Sequence, residues 1–162
     1  MERLRESAEA VAAALRARRA TVAVAESASG GLISAALLMV PGASAFYLGG
    51  GVIYTPRARH RLLGLRREDV YGLKSATEPY ALCLATTVRS RFSADWGIGE
   101  TGAAGPTGNP YGDAAGHCCY AVAGPGGTAT RTLETGRPER LANMVEFARV
   151  ALALLLTEIE AG

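Results

Sequence analysis

Thr21-Val22-Ala23-Val24-Ala25-Glu26-Ser27-Ala28-Ser29-Gly30-Gly31, running into the apolar stretch Leu32 to Met39, is the segment that decides the fold. The first six residues are short, apolar and partly β-branched, the pattern of a buried strand. Two hydroxyls and two glycines then form a turn, and the apolar run that follows reads as a helix stopped by Val40-Pro41-Gly42. Strand, tight glycine turn and helix in that order belong to an α/β sheet. The helix that follows the turn offers unpaired N–H groups and a positive dipole end. Ser27, Ser29, Gly30 and Gly31 are therefore candidates for holding an anion such as a phosphate; the alternative is that Ser29 only caps the helix.

Upstream, Leu4, Ala8, Val11, Ala12 and Leu15 recur at helical spacing and predict an amphipathic helix ending in the basic turn Arg16 to Arg19. Downstream, Gly49 to Tyr54 predicts a strand, and Pro56 to Leu63 a basic helix with Gly64 at its C-terminus. Thr77-Glu78-Pro79 opens a helix to Phe92, and Trp96 to Glu100 predicts a third strand leading into a loop, Thr101 to Gly112. Gly116 to Ala123 and Thr128 to Glu134 read as a hairpin, and a last helix is predicted from Pro138 to about Glu158. Helices alternating with strands, then a hairpin, predict a three-layer α/β/α domain with a mixed sheet, a single domain over residues 1–162.

The chain has 162 residues, 49% apolar and 20% charged, with a net charge of +2, which suits a globular domain and excludes a supercharged nucleic-acid binder. Sixteen arginines and a single lysine, Lys74, supply the positive charge. The runs Leu32 to Val40 and Val150 to Leu156 are too short to span a bilayer, and the charged start Met1 to Glu6 has no signal-peptide core. The expectation is a cytoplasmic protein without membrane association. Cys83, Cys118 and Cys119 lack metal-ligand spacing, and His60 and His117 are the only histidines, so no metal is expected. The acids Glu26, Glu100 and Asp113 near strand ends give only weak support for an oxygen-bound magnesium.

Gly97-Ile98-Gly99-Glu100-Thr101-Gly102 has the letters of a dinucleotide fingerprint, but Pro106, Gly108 and Pro110 follow where that fingerprint needs a helix. No phosphate-binding loop with a Gly-Lys-Ser/Thr ending occurs, so no nucleotide cofactor is expected. Arg57, Arg59, Arg61, Arg66 and Arg67 cluster without interleaved aromatics, which argues against nucleic acid.

Ala25-Glu26-Ser27-Ala28-Ser29-Gly30-Gly31, then Val40-Pro41-Gly42-Ala43-Ser44 with Tyr47 and Gly49-Gly50, then Thr101-Gly102-Ala103-Ala104-Gly105-Pro106 resemble, in series, the CinA C-terminal domain family, also known as the nicotinamide-nucleotide amidase family. The likeness runs from about Leu4 to Leu156. It implies a homo-oligomeric α/β domain that deamidates nicotinamide mononucleotide, a small nucleotide substrate, to the nicotinate nucleotide and ammonia. It assigns the nucleophile to Ser44 and further catalytic positions to Tyr54, Thr101 and Arg59, with nucleotide binding by the Ser27 to Gly31 turn and by Gly102 and Gly105.

The chain departs from the family pattern where it reads Tyr54-Thr55-Pro56-Arg57-Ala58-Arg59: the lysine thought to activate the serine is Arg59 here. A guanidinium has no acceptor and stays protonated in water, so it cannot take the Ser44 proton, leaving His117 or a bound water as the base. Family arginines near the last helix fall on Pro138 and Ala142, with Arg137 and Arg140 adjacent, and Asp113-Ala114-Ala115-Gly116 replaces a lysine-proline-valine-glycine. Three readings follow: a serine amidohydrolase, a nucleotide-binding relative without turnover, and an amidase for a different nucleotide-like amide.

Overall fold

A computed structural model describes every residue from Met1 to Gly162. Its five-stranded sheet has the order β2-β1-β3-β4-β5, with β1 (Val22–Glu26), β2 (Tyr47–Val52), β3 (Trp96–Ala103), β4 (His117–Gly124) and β5 (Gly127–Glu134). β1 is parallel to β2 and β3, while β4 and β5 run antiparallel to their neighbours, so the sheet is mixed as predicted. The helices are α1 (Glu2–Ala17), α2 (Leu32–Leu38), α3 (Pro56–Leu63), α4 (Glu78–Phe92) and α5 (Arg140–Ala161).

Strand alternation sorts the side chains into two layers. Val22, Val24, Ile98, Tyr120 and Val122 face α1, α2 and α5 in a core of 29 buried residues. Ala23 and Ala25 face the other way, with Tyr80, Leu84 and Val88 of α4 and Leu63 of α3. On that second face β3 presents glycine. A Cβ at Gly97 would lie 2.2 Å from the Ala85 carbonyl oxygen, and one at Gly99 would lie 2.0 Å from that of Ala81. The absence of those Cβ atoms lets α4 lie directly on the strand. No helix is long and apolar enough to cross a membrane.

The element boundaries differ from expectation where pairing overrides composition. Thr101 to Ala103, expected in a loop, extend β3 because they pair with Cys119, Cys118 and His117 of β4. β2 starts two residues early, at Tyr47, because Tyr47 pairs with Val22. α5 starts at Arg140 rather than Pro138, since Glu139 is still extended. The two basic-helix signals hold: Thr55 Oγ1 accepts the Ala58 N–H at 3.0 Å ahead of α3, and Gly64 closes it at φ +66°.

Candidate functional site

The C-terminal ends of β1 and β3, the end of β2, the start of β4 and the N-termini of α2, α4 and α5 converge at one edge of the sheet. Open α/β sheets bind ligands at this edge. A cavity of about 180 Å³ opens there, lined by Ala28, Tyr54, Gly102, Gly105, Thr107 and Arg140 among others. A larger cavity of about 760 Å³ lies at the opposite end, between Trp96, the hairpin turn and the last turn of α5. None of the candidate catalytic or binding residues lines it.

The Ser27 to Gly31 turn does not offer the free amides expected of an anion site. Glu26 and Glu100, both fully buried, already use them. Glu26 Oε1 accepts the N–H of Gly31 at 2.9 Å and of Ile33 at 3.0 Å, and Oε2 accepts both the N–H and the hydroxyl of Ser34. Glu100 accepts the N–H groups of Ser27, Ala28 and Ser29 at 2.9 to 3.2 Å. The carboxylate that complements the α2 dipole is thus the chain's own, and the placement of a phosphate on these amides is corrected. Gly30 and Gly31 answer to geometry instead: φ is +67° and +96°, and a Cβ on Gly30 would meet Met144 at 2.6 Å.

The Ser29 hydroxyl lies 2.7 Å from Glu26 Oε1 and 2.5 Å from Glu100 Oε2. It has one proton and cannot donate to both. Burial pushes the Glu100 carboxyl up from the ordinary carboxylate range, against the hydrogen bonds from the turn. These acids are therefore structural and are not free to ligate magnesium; Asp113 in turn accepts the Asn109 side-chain amide at 2.8 Å.

At the cavity itself, Arg140 Nη1 donates to the Gly105 carbonyl at 2.5 Å, and Nη2 reaches the Tyr54 hydroxyl at 3.4 Å. Arg59 Nη1 lies 3.4 Å from the Tyr80 hydroxyl, and its buried Nε has no partner. Neither arginine is paired with a carboxylate. Thr101 is buried, and its Oγ1 accepts the Ala76 N–H at 3.0 Å, tying the segment before α4 to β3. Gly102 and Gly105 line the cavity, but packing also demands them: their Cβ atoms would lie 2.5 Å from the His117 carbonyl and 2.6 Å from that of Pro138. Arg137 is exposed and outside the cavity. Its carbonyl accepts from Asn143 Nδ2, which also donates to the Ala104 carbonyl. Asn143, fully buried in the first turns of α5, holds the cavity loop in place, and nothing in its sequence context marked it.

His117 does not serve as a free base. Its Nδ1 is bonded to Glu134, and its Nε2 lies 2.7 Å from the Ala76 carbonyl, so both ring nitrogens are committed to acceptors. Ser44 stands apart from all of these residues. It lies exposed in the short turn Ala43–Ala45 before β2, whereas Tyr54 follows β2, so the strand's length, about 20 Å at ~3.3 Å per residue, separates them.

Comparison with known proteins agrees with this fold. The model of the CinA C-terminal domain matches residues 4–159. A CinA-like protein of Desulforapulum autotrophicum is 36% identical over 138 residues, covering 85% of this chain and 33% of that protein. One from Anaeromyxobacter sp. strain Fw109-5 is 39% identical over 146 residues, covering 90% and 36%. The chain thus spans about a third of the length of the curated relatives it matches. The crystal structure of a competence-damaged protein (CinA) superfamily protein from Klebsiella pneumoniae superposes with a TM-score of 0.91 at 28% identity, covering 98% of this chain and 99% of that one. A competence or damage-inducible protein from Enterobacter asburiae gives 0.88 at 30% identity, covering 96% and 98%. With the sheet order, the glycine-cleared strands and a family match over nearly its whole length, the chain belongs to the CinA C-terminal domain family.

Proposed function

We propose that the protein is an amidohydrolase that cleaves the carboxamide of nicotinamide mononucleotide, giving nicotinate mononucleotide and ammonia. The observation that supports this reading is Arg140. It is a guanidinium without a carboxylate partner, held against Tyr54 and the Gly105 carbonyl at the rim of the cavity. Such a cation suits a phosphate, which it can grip with two parallel N–H groups. The nucleotide's phosphate is assigned to Arg140 rather than to the Ser27 to Gly31 amides.

In this reading Ser44 Oγ, the nucleophile that the resemblance assigns, attacks the carboxamide carbon once it is brought across the roughly 20 Å that part it from Tyr54 within the chain, backbone N–H groups hold the oxyanion, and ammonia leaves with the serine proton. Water then hydrolyses the acyl-enzyme and restores the hydroxyl. With Arg59 unable to accept a proton and His117 committed, a water carries the proton, which predicts slow turnover. That same pair of observations supports a second reading, a nucleotide-binding relative without catalysis. An amidase for a different nucleotide-like amide would use the same phosphate grip.

Ammonia release from nicotinamide mononucleotide decides among these. The amidase reading expects measurable release that Ser44→Ala abolishes while binding persists. Arg140→Ala should weaken binding by roughly tenfold or more, the loss of a charge-assisted pair. Binding without any ammonia release would establish the second reading.

A further inference from the structure

We propose that the cavity where β1 and β3 begin is a second small-molecule site, and that it takes a zwitterion with an aromatic body, an aromatic α-amino acid. The proposal does not depend on the amidase reading, because this cavity lies at the opposite end of the sheet from Arg140 and Tyr54. Its volume of about 760 Å³ falls within the ~300–1,000 Å³ usual for a ligand site.

Trp96, the first residue of β3, supplies the aromatic surface. A Cβ at Gly124 would lie 2.2 to 2.7 Å from three carbons of the indole's six-membered ring, so glycine at the end of β4 lets that ring press on the strand's backbone. Trp96 is only 8% exposed, and it lines this cavity. Its indole N–H makes no hydrogen bond within the chain, yet it is not sealed from solvent. A buried tryptophan normally gives its N–H a partner. Here the cavity is the place left for one. Ala20 and the fully buried Ile159 add apolar wall.

The remaining wall carries charges of both signs, none of them in an ion pair. Arg18 and Arg19 come from the end of α1. There the Ala20 N–H bonds to the Leu15 carbonyl and the Arg19 N–H to the Arg16 carbonyl, so backbone groups rather than guanidinium groups satisfy the end of the helix. Arg18 Nη1 makes one long bond, to the Ala14 carbonyl at 3.4 Å. Arg19 holds the left-handed position of the turn, at φ +50°, where glycine is the usual residue. The last turn of α5 contributes Glu158, a carboxylate at the negative end of a helix dipole and so a place that favours a cation. Asp95 is the fourth charge, and its Oδ2 is taken up by the N–H and hydroxyl of Thr21 at 2.8 and 3.1 Å.

Each of these features selects a different part of one ligand. The two guanidinium groups suit a carboxylate, which can also accept the Trp96 N–H. Glu158 and the α5 terminus suit an ammonium, while Trp96, Ala20 and Ile159 suit a ring. An α-amino acid with an aromatic side chain carries all three.

Trp96 is the chain's only tryptophan, so tryptophan fluorescence reads this cavity directly. L-Phenylalanine added to the full chain should change that fluorescence saturably. Hydrocinnamate, the same skeleton without the ammonium, and phenethylamine, without the carboxylate, should each bind roughly tenfold more weakly, the loss of one charge-assisted contact. Arg18→Ala/Arg19→Gly should weaken L-phenylalanine by roughly tenfold or more and keep the wild-type circular dichroism, because glycine suits the left-handed backbone. Arg140→Ala, at the other end of the sheet, should bind the amino acid as the wild type does. A response that does not saturate, hydrocinnamate or phenethylamine binding as tightly as L-phenylalanine, or full affinity in the double arginine variant overturns the proposal. So does a response lost in Arg140→Ala, which would place the amino acid at the cavity beside Tyr54.

Discussion

Glu26 shows how a single buried carboxylate organises the turn that looks most like a ligand site. Its two oxygens take three backbone N–H groups and two hydroxyls from Ser29, Gly31, Ile33 and Ser34. Glu26→Gln would keep the shape, remove the charge and turn an NH₂ toward donors. The expected loss is about 2–4 kcal/mol, one or two charge-assisted hydrogen bonds at ~1.5–3 kcal/mol each, read as a lower urea midpoint. An unchanged midpoint would show that the carboxylate is not what holds the turn. Arg59 poses the functional question at the same scale. Its guanidinium cannot act as a base, whereas a lysine amine in a partly desolvated pocket beside another cation can be driven toward neutral pKa. Arg59→Lys is expected to raise ammonia release about tenfold or more, with a pH profile that gains a limb from the new amine. A fall in rate would instead make Arg59 a clamp on the substrate.

At the scale of elements, His117 joins β4, β5 and the segment leading into α4. Burial works against the charged ring, but the Glu134 carboxylate and the Ala76 carbonyl, with Asp113 at 3.7 Å, outweigh it, and the His117 pKa stands above its ordinary value. A raised folded-state pKa means that the stabilisation is complete below the unfolded value of ~6.5 and is lost as pH rises through the folded one. Stability of the wild type should therefore decline from about pH 6.5 upward, while His117→Gln flattens that slope. Denaturant midpoints of the two proteins across this range check it, and parallel slopes would remove His117 from the account. The strand pairing also explains why this clamp sits beside the site. Gly102 pairs with Cys118 and Ala103 with His117, so the imidazole and Thr101 hold opposite sides of the same residue, Ala76.

For the whole molecule, the cavity at the C-terminal ends of β1 and β3 carries Arg140, a cation without a carboxylate partner, at its rim. Nucleotide binding is expected to stabilise the fold as a whole: a phosphate-bearing ligand at 100 times its dissociation constant adds about 2.7 kcal/mol. Thermal unfolding should move upward with nicotinamide mononucleotide, much less with the nucleoside that lacks the phosphate, and by about half or less in Arg140→Ala. Equal shifts with nucleotide and nucleoside would detach the phosphate from Arg140.

The sequence determined the element types and the layer each strand residue faces. Periodicity is a local record of burial: Val22 and Val24 against Ala23 and Ala25, or Leu4, Ala8, Val11 and Leu15 along α1, carry their own directions. It also identified the glycine-bearing turn after β1 and the Thr101 to Pro106 segment, both of which lie at the cavity. What it did not contain is which donor meets which acceptor across long separations. Glu100 reaches the Ser27 turn from 73 residues away, and His117 reaches Ala76 from 41. Only the β1–β3 and β3–β4 registers bring those partners into hydrogen-bonding range, and so only the tertiary structure turned a plausible phosphate loop into an internally satisfied one. The position of Ser44 has the same origin. Ten residues from Tyr54 in the chain, it is placed at the far end of β2 because that strand runs parallel to β1 from Tyr47 to Val52, with only Leu48 left out of the pairing, a distance that one strand fixes and a sequence motif does not record.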